Sequence, residues 1–155
     1  MDGLSDVLNF GIGGSCWSDW LALYPALVKD FAPSKLVLVC GTNDFVAGRS
    51  AEAVFEDFTT FMSMLRKDFP TMPVYVLHSL PSPKRFYMYD SYHAIYKQKI
   101  NEYALSDANL FTIDMYTNLV GDDGIITSFY DTDNGHLNSA GYALLGDKLR
   151  KALGL

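Results

Sequence analysis

The sequence predicts a single α/β domain, a three-layer sandwich in which helices cover both faces of a mostly parallel sheet. Short apolar runs of strand length alternate with longer segments whose apolar residues recur at helical spacing. Two of the runs, Lys35-Leu36-Val37-Leu38-Val39-Cys40 and Val74-Tyr75-Val76-Leu77, are almost unbroken, which is how strands buried on both faces of a parallel sheet read. The chain has 155 residues, 49% of them hydrophobic and 14% aromatic, enough for one sizeable core.

The elements follow in order. Asp6-Val7-Leu8-Asn9 is the first strand candidate and runs into Gly11-Ile12-Gly13-Gly14. Ser15 stands where a helix N-cap belongs. The segment from Cys16 to Lys29 carries Trp17, Trp20, Leu21, Tyr24, Leu27 and Val28 at helical spacing, and Pro25 predicts a short or kinked helix. After Pro33-Ser34 comes the strand 35–40, closed by Gly41-Thr42-Asn43-Asp44. Ser50 caps the next helix, whose stripe is Val54, Phe55, Phe58, Phe61, Met62 and Leu65, and Pro70 stops it. Strand Val74–Leu77 leads to a long loop, 78–90, rich in proline and aromatics. A helix is expected over 91–105, a strand over Leu110–Asp114, a loop over 121–134, and a closing helix from Ser139 to Leu153 with Tyr142, Leu145 and Leu149 facing inward. No linker, repeat or low-complexity tract divides 1–155.

Charge and composition exclude some functions. The net charge of -6 disfavours nucleic acid, which needs clustered Lys and Arg. No apolar run approaches the roughly 18 residues of a membrane span. The first six residues lack the basic and apolar regions of a signal peptide, so the default expectation is a cytoplasmic protein. Cys16 and Cys40 fit no metal-ligand spacing and read as buried free thiols.

In parallel α/β folds ligands bind beyond the carboxyl ends of the strands. Gly13-Gly14-Ser15 and Gly41-Thr42-Asn43-Asp44 follow strand candidates. Glycine before a helix start lets unpaired N–H groups meet an anion, or simply permits a tight turn. Asn43 offers an amide to the cleft, or serves as an Asx-type turn residue or a helix cap; Asp44 reads as a capping or orienting group. The strongest chemical signal is Asp133-Asn134-Gly135-His136. A carboxylate three residues before a histidine can orient the ring and stabilise its protonated form. His78 ends a strand and His93 lies on a helix; no two histidines share metal-ligand spacing. Phe86 and Tyr87 form a substrate wall or pack against helices. Arg85 pairs with an acidic substrate or with a surface carboxylate.

Together these fragments resemble the SGNH (GDSL-type) hydrolases. Val7-Leu8-Asn9-Phe10-Gly11-Ile12-Gly13-Gly14 is similar to the family's second block, Gly41-Thr42-Asn43-Asp44 to the third, and Asp133 to Tyr142 to the fifth. Pro81-Ser82-Pro83-Lys84-Arg85 and the helix containing Asn101 are similar to some bacterial members. The resemblance implies a flavodoxin-like fold and a serine esterase, lipase or acylhydrolase acting on acyl lipids, acylated sugars or similar small esters, without metal or cofactor. It implies that Gly14 N–H, with Gly13 as the neighbouring alternative, and the Asn43 amide form an oxyanion hole. It implies that His136 is the general base and Asp133 its orienting acid. The family's first block, Gly-Asp-Ser after the first strand, is not found ahead of Val7. The expectation is therefore a domain truncated at its N-terminus relative to the family, with the nucleophilic serine outside this chain. Ser15 and Ser79 are the substitutes within it. The alternative expectation is an inactive carbohydrate- or acyl-binding protein, and an unpaired sheet edge would also suit a homo-oligomer.

Overall fold

Three parallel strands run side by side in chain order: β1 (Leu36–Leu38), β2 (Val74–Leu77) and β3 (Leu110–Ile113). Leu36 is in register with Val74, and Val74 in turn with Leu110. The computed structural model describes residues 7–122 and 124–155. The helices are α1 (Trp17–Tyr24), α2 (Thr42–Val46), α3 (Ala51–Asp68), α4 (Ala94–Ala104), α5 (Tyr116–Leu119) and α6 (Ser139–Leu153). A small antiparallel pair, β4 (Val120–Gly121) and β5 (Gly124–Ile125), fills part of the expected loop.

The apolar stripe of α3 makes the main core. Val54, Phe58, Phe61, Met62 and Leu65 are fully buried, and Trp17, Tyr24, Phe45 and Tyr96 pack with them. Each large apolar side chain taken out of water there contributes about 1.5–3 kcal/mol. The polar ends of the aromatics are satisfied. Trp17 Nε1 donates to Tyr96 Oη at 2.7 Å, and Tyr24 Oη donates to Asp68 at 3.0 Å. A second cluster of Leu77, Ile113, Met115, Leu119, Tyr130 and Leu137 lies under α6.

Several details depart from the sequence reading. Residues 7–10 form no strand and are exposed; Asp6 lies outside the described residues. A strand is stabilised by ladder partners on a neighbour, and β1 is hydrogen-bonded only to β2 among the described residues. For the same reason β1 is not buried on both faces: Val37 is 39% exposed and Val39 beyond its end 52%. Helix α1 starts at Trp17 with Cys16, not Ser15, at the N-cap, and Pro25 marks its passage into a wider π turn over Pro25–Lys29. The expected helix over 91–105 begins as a π turn, Tyr89–His93, before α4. The loop after β2 contains a 3-10 turn, Pro83–Met88. Tyr142 on α6 faces outward, while Leu145 and Leu149 pack inward. Cys16 and Cys40 are free thiols, half-buried rather than fully buried.

Candidate active site

A cleft of about 270 Å³ opens beyond the carboxyl end of β1. Its walls come from four separate parts of the chain: Ile12-Gly13-Gly14-Ser15, Val39 to Asn43, Arg85, and His136. A larger depression of about 430 Å³ along α4, lined by Lys97, Asn101 and Glu102, contains none of the glycine-turn, Asn43 or Asp133–His136 residues.

The glycine wall is built by a tight turn. Ser15 N–H donates to the Ile12 carbonyl at 3.2 Å, and Gly14 has φ +81°, a left-handed conformation that side chains disfavour. A Cβ at Gly13 or Gly14 would meet open space, so it is the backbone and not crowding that calls for glycine at 14. Ser15 itself is occupied: its hydroxyl accepts the Trp20 indole N–H at 2.9 Å.

Asn43 lies in α2, a short helix where the sequence suggests a turn residue or a cap. Asp44 explains why that segment is ordered. Its carboxylate is fully buried, accepts the Trp17 N–H at 3.1 Å and takes Arg49 Nη1 at 2.7 Å. One acid thus caps α1 and ties α2 to it, across 27 residues. The Asn43 amide donates to the Ser15 carbonyl at 3.0 Å, which fixes the amide against the glycine turn and leaves its second N–H for the cleft.

The histidine wall is locally built. Asp133 Oδ1 accepts the N–H groups of Gly135 at 2.8 Å and His136 at 3.0 Å, and Oδ2 is 2.5 Å from His136 Nδ1. The Gly135 N–H, then the His136 ring and N–H, hold the Asp133 carboxyl well below the usual carboxylate range. With Nδ1 engaged, Nε2 is the ring nitrogen left for proton transfer. Asn138 anchors the loop's exit. Its amide donates to the Ser128 and Tyr130 carbonyls at 2.8 and 3.0 Å, and its Oδ1 caps α6 through Ala140 and Gly141. Gly141 has a packing reason: a Cβ there would overlap the Phe129 carbonyl and the Leu137 side chain.

The other histidines are elsewhere. His78 does not line the cleft; it is buried, with Nε2 3.0 Å from Asn101 Oδ1. His93 is buried, stacks edge-on against Phe45 at 4.9 Å, and has Nδ1 2.5 Å from Ser79 Oγ. Burial first, then the positive charge of Arg85, lowers the His93 ring to about 4. Ser79 is buried with it, so the hydroxyl has no approach for a substrate. The sequence reading did not anticipate this pair, because a 14-residue separation across a loop and a π turn leaves no pattern.

Residues 2–144 match the GDSL-like lipase/acylhydrolase family. The chain belongs to that family. Solved structures carry the same fold at low identity. A Streptococcus pneumonia protein is 22% identical with a TM-score of 0.78, over 94% of this chain and 72% of its own. A GDSL-like lipase from Bacteroides thetaiotaomicron is 20% identical with a TM-score of 0.74, over 93% of this chain and 73% of its own. A carbohydrate esterase of family 3 from Talaromyces cellulolyticus is 17% identical with a TM-score of 0.75, over 90% of this chain and 67% of its own. No curated protein matches the chain. No helix among the described residues is long and apolar enough to cross a membrane.

Proposed function

We propose that this chain carries the base and the oxyanion hole of a serine ester hydrolase whose nucleophile comes from sequence outside these 155 residues. One observation carries the reading: Gly13-Gly14, Asn43 and His136, from three separate motifs, line one cleft. In the proposed reaction His136 Nε2 takes the serine proton as the oxygen attacks the ester carbonyl. Asp133 keeps the ring oriented and favours the imidazolium. The Gly14 N–H and the Asn43 amide donate hydrogen bonds to the negative oxygen of the tetrahedral intermediate. His136 then returns the proton to the departing alcohol. Water, activated by the same ring, cleaves the acyl-serine and releases the carboxylic acid. Small acyl esters, acylated sugars among them, are the substrate class this reading supports.

A second reading keeps the cleft and drops the chemistry, giving a binding protein for acyl or carbohydrate ligands. What favours it is Ser15, the serine lining the cleft, whose hydroxyl is engaged by Trp20. Hydrolysis of p-nitrophenyl acetate separates the two, measured on this chain and with any in-frame sequence preceding Met1 restored. Turnover lost in His136→Ala supports the hydrolase. Ligand binding without His136-dependent turnover in either form supports the binding protein.

A further inference from the structure

We propose that Arg85 recognises an anionic group, a carboxylate or a phosphate, carried by the ester that occupies the cleft. The proposal rests on the reading of the cleft as an ester site and names the class of substrate for it.

Arginine in this chain is normally paired. Arg49 meets Asp44 and Asp57 at 2.7 and 2.6 Å, Arg66 meets Asp107 at 2.7 Å, and Arg150 meets Asp147 at 3.7 Å. Arg85 has no such partner among the described residues, in a sequence where 18 acids outnumber 12 Lys and Arg. It is half-buried and lines the same cleft as Gly14, Asn43 and His136. Among the described residues no carboxylate lines that cleft, and the guanidinium is the one permanently charged group among them there. Asp133, the acid of the histidine loop, is outside the lining and spends both oxygens on Gly135 and His136.

The placement is fixed by the backbone. Arg85 is in the Pro83–Met88 turn, where its N–H donates to the Ser82 carbonyl at 3.0 Å. The preceding Lys84 N–H donates to the Asn134 carbonyl at 3.0 Å, which joins this turn to the loop carrying His136. His93 is a buried neighbour, and burial with the Arg85 charge lowers its ring. A half-buried guanidinium loses hydration without regaining it from a partner. Its planar fork matches the two oxygens of a carboxylate or phosphate. Tyr87, two residues on and 81% exposed, gives the same turn an aromatic face for the remainder of the ligand.

The test is a ¹H–¹⁵N NMR titration read at the Gly14 amide and the Asn43 side-chain amide at low salt. Monomethyl succinate is compared with methyl butyrate, and acetylated glycerol 3-phosphate with acetylated glycerol. At least one charged ester should bind about tenfold or more tighter than its neutral partner. Which pair shows the gain tells carboxylate from phosphate. Arg85→Gln should remove the preference and keep neutral-ester binding, while Arg85→Lys should keep part of it. Equal affinity for charged and neutral esters, or a preference intact in Arg85→Gln, overturns the role of Arg85 and leaves the ester site standing. No response of Gly14 and Asn43 to any of the four esters overturns both.

Discussion

His93 should make the fold acid-sensitive. Its ring titrates near 4 in the folded chain, against about 6.5 in an unfolded one. The unfolded state therefore binds more protons through that window. Stability is full above about pH 6.5 and falls as pH drops toward 4. Over pH 7 to 4 the loss is about 3 kcal/mol from this group alone. A domain of this size has only about 5–15 kcal/mol in total, so the effect is large. Protonation also places a cation against Phe45, two residues from Asn43, and changes the ring nitrogen that faces the Ser79 hydroxyl. The assay is urea unfolding at fixed ionic strength from pH 8 to 4, for wild type and His93→Asn. The variant should be weaker at pH 7 and markedly flatter with pH. A residual slope of the same sign belongs to His78, whose ring burial also lowers. Wild-type stability level between pH 7 and 4, or an identical slope in His93→Asn, would refute the reasoning.

Gly141→Ala should destabilise by about 1–3 kcal/mol, because the new Cβ meets the Phe129 backbone oxygen and the start of α6 has to shift. Thermal unfolding measures it, and the His136 ring resonances should move as well; a melting temperature unchanged within a degree would contradict the packing. Cys40 lines the cleft yet burial pushes its thiol up to about 12, so alkylation by iodoacetamide at pH 8 should run far slower than for free cysteine. Mass spectrometry follows the adduct, and rapid labelling of Cys40 would show that the thiol is not held protonated.

How much of this was legible in the residues depends on the range of the forces. Helices α3 and α6 carry their own periodicity, and β2 its apolar run, so they were readable with nearly their observed limits. The Asp133–His136 turn is likewise made of neighbours three residues apart. Residues 7–10 have strand composition but no strand, since a ladder needs a partner that composition does not name. Helix α2 was missed because its order comes from Asp44 reaching Trp17 and Arg49, contacts that no local pattern encodes. Asn43 was found as a cleft residue; that its amide is pinned by Ser15 was not. In sequence Arg85 suits an acidic substrate or a surface acid alike, and only the arrangement of all the arginines favours the first.

The central claim is that one cleft stabilises a transient oxyanion between the glycine turn and Asn43. The most direct measurement is kcat and KM for p-nitrophenyl acetate in Asn43→Ala, made in the protein that supplies the serine. The account predicts a kcat lower by about 100-fold or more with KM little changed. A kcat within twofold of wild type would contradict it.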